Sequence, residues 1–421
     1  MNMNEYDKLT GLYTREAFCY HAEQLVRNNP EQKFDIVLSD FVNFKHFNSR
    51  YGTETGDLLL IQTGKMLSMA GNDVICGRYG ADRFVSIVQH MDETALTYLE
   101  NFQLPEQAKD ELPVFSIVVK FGVCADIDHN MPISVSCDRA YMAVQSVKHQ
   151  YGKNLAIYDD NLGKAIHQEL IIEENMKSAL ENNQFQVYYQ PKMNILSEKI
   201  CGAEALVRWI HPTLGFMNPG IFIPLFEKNG FITSMDLFVW EQVCRDLAEW
   251  RDKGINLVPV SVNISRKDFN SHDLSNRIIQ IVDWYHLDHS LFHLEVTESS
   301  YAEKAEDVVK HIKILHNAGF VVELDDFGAG YTSLSTLNDM NIDILKLDIS
   351  LLQKDNPDSD RSVLNFAMQL ANMMKLRTIQ EGVETKSQLE RLKALGCDYI
   401  QGYYYSKPLK KGEFEDFLKQ Q

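Results

Sequence analysis

The sequence predicts an α/β protein in which a compact α+β domain precedes a modified (β/α)8 TIM-like barrel. Eight short β-rich runs recur after residue 185, with helical patterns between most of them. A polar, helix-like stretch near 160–182 separates this rhythm from a sparser one upstream. The length of 421 residues suits two domains, since domains average roughly 150 residues and a barrel alone takes about 250. With 45% hydrophobic and 24% charged residues the chain has ordinary globular composition.

In residues 1–160 the strand candidates are FDIVLSDF (34–41), DRFVSIV (82–88) and VFSIVVKFGVC (114–124). Amphipathic stretches such as DLLLIQTGKMLSMAG (57–71) lie between them, which reads as α+β. Residues 161–182 place apolar side chains at helical spacing, a linker and first helix. The barrel is expected over 183–421, with strands at 185–190, 199–209, 258–265, 291–298, 320–327, 344–349, 376–384 and 399–406. Between them, 234–254 reads as a helix with Ser234 as N-cap and Gly254 as stop. No long helix separates the first two runs, so that end departs from an ideal barrel.

The 41 basic against 59 acidic residues give a net charge of −18, which excludes DNA or RNA polymers as natural partners. A small phosphate ligand held by metal ions remains compatible. Seven scattered cysteines, none in a C-x-x-C pair, argue against a disulfide framework or zinc knuckle. MNMNEYDKLTG carries no secretory signal, and no run of about 18 apolar residues predicts a membrane segment. A cytoplasmic location is expected.

In such a barrel the reactive groups project from the C-terminal strand ends. There the sequence places Glu204, Asn263, Glu295, Asp325 with Asp326, Lys346, Glu381 and Gln401. One such acid is usually a cap or a solvated loop residue. Gathered on one rim, they form an oxygen-rich pocket that repels itself unless cations fill it. Without supporting His or Cys ligands the set suits Mg2+ or Mn2+ rather than zinc. The adjacent aspartates suggest two ions, with Lys346 directed at phosphate or water.

The C-terminal region carries YYQP at 188–191, EALVRW at 204–209, SVNIS at 261–265, LEVTES at 294–299, DDFGAGYTSL at 325–334, LKLD at 345–348, EGVET at 381–385 and QGYYYSKP at 401–408. On these motifs, residues 165–421 resemble the EAL-type cyclic di-GMP phosphodiesterases. The resemblance implies metal ligation by Glu204, Asn263, Glu295, Asp325, Asp326 and Glu381, with Lys346 holding the water or phosphate. It assigns Gln190, Leu206 and Arg208 to the nucleotide-binding walls, Gln401 to the rim, and Glu298 to steadying the 325–334 loop. The implied reaction is hydrolysis of cyclic di-GMP to linear 5′-phosphoguanylyl-guanosine, pGpG, with Glu381 the favoured proton acceptor and Lys346 its competitor. The family's DDFGTGYSSL is here DDFGAGYTSL, a change among small residues. The resemblance also suggests a homodimer through the barrel.

Upstream, DKLTGLYTR (7–15), SDFVNFKHFNSRYGTETGD (39–57) and RYGADRF (78–84) are similar to GGDEF-type diguanylate cyclase domains, a nucleotidyl-cyclase-like fold. The signature is degenerate: Gly80, Ala81, Asp82, Arg83 and Phe84 stand in its place, with an arginine at an acidic metal-binding and catalytic position. Ser49 and Thr53 replace a further Asp and His, while Asp40, a metal-ligand position, remains. Gly71 and Val74 stand where the product-inhibition motif R-x-x-D would lie. This domain is expected to make no cyclic di-GMP, and it could bind GTP, dimerise or act as a spacer.

His286, His289 and His293 precede LEVTE (294–298) and fall toward the opposite, N-terminal barrel face, where no metal is expected. Gly328 and Gly330 read as turn residues rather than a phosphate cradle. The rival to catalysis is a non-catalytic cyclic di-GMP receptor signalling through the N-terminal domain; such receptors tend to have lost metal ligands, which this chain retains. An unrelated metal-dependent barrel hydrolase explains the acids but not EALVRW or QGY.

Overall fold

The apolar runs of the N-terminal half pair into a six-stranded sheet. The computed structural model describes residues 5–69, 74–103, 117–328, 341–353 and 362–420, in two units, 1–171 and 172–421. In the first unit the elements run β1 (Tyr13–Thr14), α1 (Arg15–Asn28), β2 (Phe34–Phe41), α2 (Phe44–Tyr51), α3 (Thr53–Ser68), β3 (Ile75–Gly80), β4 (Arg83–Gln89), α4 (Glu93–Glu100), β5 (Val119–Cys124), α5 (Ile133–Val147) and β6 (Leu155–Ile157). The strand order is β1-β3-β4-β2-β5-β6. One face packs Ile36, Leu38, Val85 and Ile87 against α1 and α5; the other packs Phe41, Phe84 and Phe121 against α2 and α3. Residues 114–116 of the expected third strand lie outside the described residues.

Helix α6 (Asp160–Glu181) leads into the second unit. There follow β7 (Phe185–Asn194), β8 (Ile200–His211), β9 (Gly215–Met217), α7 (Pro219–Asn229), α8 (Ile232–Asp252), β10 (Val260–Ile264), α9 (Leu274–Trp284), β11 (Phe292–Thr297), α10 (Glu298–Asn317), β12 (Val322–Phe327), β13 (Ile344–Leu347), α11 (Ile349–Gln353), α12 (Val363–Met374), β14 (Arg377–Gln380), α13 (Lys386–Leu395), β15 (Tyr399–Gln401), β16 (Leu409–Lys410) and α14 (Lys411–Lys419). The ring β7-β8-β10-β11-β12-β13-β14-β15 closes when β7 pairs antiparallel with both β8 and β15. A short turn explains this exception: Asn194 Oδ1 accepts from Leu196 N and Ser197 N, and so tight a link can join only antiparallel strands. The expected departure at the first two strands takes this form.

One expectation fails. Helix α8 starts at Ile232 after Phe231, with no side-chain cap, so Ser234 lies inside its first turn rather than capping it. Buried Ile232 and Met235 pull the start inward by packing. Gly254 does follow the helix end, at φ +71°.

Strand alternation sorts the barrel side chains. Val260, Val262, Leu294, Val296, Val322, Leu324, Leu345 and Leu347 are buried in the apolar core, while Ser261, Glu295, Glu323 and Lys346, at the intervening positions, are buried as a polar set.

At the start of α8, Asp236 meets Asp268. Asp236 Oδ2 and Asp268 Oδ1 are both buried and lack a donor, and Asp268 Oδ2 accepts from Ser265 N and Oγ. Burial, then repulsion from Asp268, pushes the Asp236 carboxyl well above its ordinary value. A proton on Asp236 lets it donate to Asp268. The native state keeps this proton at pH values where the unfolded chain releases it. The pair's contribution is therefore fully present below the unfolded pKa and falls as pH rises, by up to about 1.4 kcal/mol per unit. Asp236→Asn should gain stability relative to the parent between pH 5 and pH 8 in urea melts; a difference independent of pH would refute the shared proton.

Candidate active site

Two consecutive aspartates on a regular strand would face opposite ways. Here the pairing of β12 with β13 slips between Leu324 and Phe327, and Asp326 adopts φ +59°. The bulge and the left-handed residue turn both carboxylates toward one end of the barrel, at a conformation Asp tolerates better than most residues. Gly328 follows at φ +100°. Beside them, Glu381 leaves β14 just before Gly382, whose φ of +69° and packing against Ile349 admit no side chain. Oxygens of Asp325, Asp326 and Glu381 lie within 4.8 Å of one another.

Lys346 stands at the centre, fully buried. Its Nζ lies 2.8 Å from Glu295 Oε2, 2.9 Å from Glu381 Oε1, 3.0 Å from Asp325 Oδ1 and 3.4 Å from Glu204 Oε2. Gln401 Nε2 donates to Glu204 Oε2 at 2.6 Å and to Gln190 Oε1 at 3.1 Å. The sequence-selected Glu204, Glu295, Asp325, Asp326, Lys346, Glu381, Gln190 and Gln401 thus gather at one end. Asn263 is the penultimate residue of β10, in register with Glu295, its carbonyl tied to Trp240 Nε1. With Leu206 and Arg208 it lines a cavity of about 450 Å³, and Arg208 lies over the Tyr188 ring. Glu298 opens α10. Its Oε2 is buried without a partner among the described residues, and 329–334 of the loop it is expected to steady lie outside them.

Crowding shows in the carboxyl groups. Burial, then Glu295, pushes Glu204 up to about 7; burial outweighs Lys346 and pushes Glu381 up to about 8. Asp325 and Asp326 are raised by burial as well, against the pull of Lys346. One ammonium does not neutralise five acids, and Gln401 Oε1 is a buried acceptor without a donor. A hard, oxygen-seeking cation fits this donor set. Asp325, Asp326 and Glu381, together with Glu204 and Glu295, are the residues that would hold it.

The sequence reading missed Lys192, Ser261 and Glu323, all buried in the lumen. Lys192 directly follows the YYQP motif and bridges Glu295 and Glu323. His293 Nδ1 bonds Glu323 Oε1 at 2.7 Å.

In the first unit, Asp40 is buried and both its oxygens meet Lys148 Nζ, at 2.8 and 2.9 Å. Gln145 adds a third hydrogen bond. The Arg83 guanidinium lies 4.9 Å from the Tyr141 ring centroid and 5.8 Å from that of Tyr79. Burial, then Asp40, raises Asp82.

Removing Lys346 leaves its carboxylates buried without their counter-charge. Lys346→Met should lower stability by about 3–5 kcal/mol in chelator-containing urea melts at pH 8, and Mn2+ should restore part of the loss. An unchanged melt would mean that Lys346 does not neutralise the cluster.

Comparison with known proteins bears on this site. Residues 173–408 match the EAL domain and 4–154 match "Diguanylate cyclase, GGDEF domain". The chain is 29% identical to the signaling protein YkoW of Bacillus subtilis, over 100% of its own length and 53% of YkoW. It is 28% identical to the cyclic di-GMP phosphodiesterase NbdA of Pseudomonas aeruginosa, over 99% of the chain and 54% of NbdA. It thus spans about half the length of these relatives. Among solved structures, the PaMucR phosphodiesterase in complex with c-di-GMP is 32% identical, with a TM-score of 0.55, 59% of this chain and 99% of that one covered. An EAL domain protein from Listeria monocytogenes is 28% identical with a TM-score of 0.51, covering 59% and 98% of the two chains. With the first match covering more than half of its residues, the chain belongs to the EAL domain family.

Proposed function

We propose that this chain hydrolyses cyclic di-GMP to linear pGpG at the C-terminal mouth of its barrel. The observation that carries this reading is the gathering of Glu204, Glu295, Asp325 and Glu381 around Lys346; Leu206, Arg208 and Asn263, the last in register with Glu295, line a separate cavity. The names of NbdA and PaMucR add the substrate. Glu204, Asn263, Glu295, Asp325, Asp326 and Glu381 would hold two Mg2+ or Mn2+ ions, which would supply Lewis acidity toward the phosphate and the attacking water.

The chain's own groups do the rest. Arg208 meets a phosphate, with Gln190 and Leu206 on the nucleotide walls and Gln401 orienting Glu204 at the rim. Glu381 accepts the proton of the attacking water, a role suited to a carboxylate at the strand end beside Asp325 and Asp326. Lys346 offsets the charge that grows on the phosphoryl oxygens. The P–O3′ bond breaks in line with the attack, and the leaving 3′-oxygen takes a proton from solvent, giving a 5′-phosphate and a 3′-hydroxyl.

The first unit makes no cyclic di-GMP in this proposal. Lys148 occupies Asp40, and Arg83 brings a cation where the reaction needs an anion. The unit binds GTP, dimerises or serves as a folded spacer, and the protein acts as a homodimer in the cytoplasm. All seven cysteines are free thiols. No helix among the described residues is long and apolar enough to cross a membrane.

Purified protein incubated with cyclic di-GMP and Mn2+ should yield pGpG on chromatography. Glu204→Ala should lose more than about 100-fold, since even outer partners of a metal site are typically worth about 10–100-fold. Tight binding of intact ligand would assign the chain to the receptor class instead. With GTP and Mg2+, neither the parent nor Arg83→Glu should form cyclic di-GMP, because Lys148 still holds Asp40; product from the parent would overturn the assignment of the first unit.

A further inference from the structure

Beneath the mouth, the barrel lumen holds a second layer of charge that the proposed reaction does not use. Lys192 on β7 is 4% exposed. Its Nζ lies 2.8 Å from Glu295 Oε1, 2.6 Å from Glu323 Oε2 and 2.7 Å from Ser261 Oγ. Ser261 Oγ also donates to Glu295 Oε1. The other oxygen of Glu323 meets His293 Nδ1 at 2.7 Å. His293 and Glu323 line a cavity of about 590 Å³ at the N-terminal strand ends, together with Gly202, Pro259 and Val321.

The two oxygens of Glu295 are therefore not equivalent. Oε1 takes two donors from below, Lys192 and Ser261. Oε2 takes Lys346, the ammonium that also touches the carboxylates of the mouth. A carboxylate free to rotate can offer a cation either oxygen, or both. Fixed from below through Oε1, it can offer one. We propose that Lys192 is a positioning residue: with Ser261 it fixes Glu295 as a one-oxygen ligand, and Glu323, braced by His293, is the counter-charge that holds the lysine in place. This rests on the reading of the mouth as a cation site.

Lys192→Met alone would strand Glu295 and Glu323 and could unfold the barrel. The test therefore uses Lys192→Met/Glu323→Leu, which removes one charge of each sign, and Ser261→Ala, which removes only the second donor. Mn2+ is titrated calorimetrically into the full chain without nucleotide, alongside thermal melts by circular dichroism. The expected dissociation constant rises about 10–100-fold in the double variant, the range for outer partners of a metal ligand, and by a smaller factor in Ser261→Ala. The Mn2+ concentration for half-maximal rate should rise in step, while KM for cyclic di-GMP at saturating Mn2+ stays unchanged. Wild-type Mn2+ affinity in Ser261→Ala and in a folded double variant, even with a lowered melting temperature, would overturn the proposal. If the double variant fails to fold, Ser261→Ala decides. If the parent itself takes up no Mn2+, the cation reading falls first, and this inference with it.

Discussion

A closed barrel keeps its lumen out of water, so every charge placed there must meet its opposite at short range. Most barrels meet this constraint with layers of branched apolar side chains. This one stacks ions. Lys192 joins Glu323 to Glu295, and Lys346 joins Glu295 to Glu204, Asp325 and Glu381. Glu295 is the shared member: burial alone would raise its carboxyl, but Lys192 and Lys346 together hold it well below the ordinary value. Burial opposes the charge on Lys346 too, and its carboxylates more than compensate, keeping it well above the usual lysine value.

That balance is incomplete at the upper end. Six carboxylates share two ammonium groups, and the excess sits at the mouth, where Asp326 is the exposed member of the group. Backbone geometry produces the excess. The slip in β12 pairing aims Asp325 and Asp326 together, and antiparallel β7 brings Gln190 opposite Glu204 and carries Lys192 toward β10 and β11. A regular parallel barrel would aim only one of the two aspartates inward.

Much of this was legible in the sequence because it follows from period and position. Runs such as VPVSVNIS and LFHLEVTE show both barrel faces at once: apolar residues for the core, polar ones for the lumen. The acids at the strand ends followed directly. What stayed hidden depends on tertiary partners. Lys192 at the end of YYQPK reads as an ordinary solvated lysine until Glu295 and Glu323, 103 and 131 residues further along, are placed beside it. Asp236 and Asp268 look like surface acids for the same reason. Ser234 was misread because local capping chemistry suggested a start that the packing of Ile232 and Met235 overrode. His293 was placed on the correct barrel face without its role as partner to Glu323.

The two units show why counting acids is weaker than counting their counter-charges. In the first unit, Asp40 and Asp82 stand near Lys148 and Arg83, and Lys148 takes both oxygens of Asp40. Two acids meet two cations, and a metal entering there would first have to displace a lysine from a buried ion pair. At the barrel mouth, one lysine is divided among four carboxylates, with Asp326 beyond its direct reach. An incoming divalent cation there relieves repulsion that the protein leaves standing. The same residue type, Asp at a strand end, is thus a closed structural pair in one unit and an under-neutralised carboxylate in the other. The ratio of nearby ammonium to carboxylate decides which.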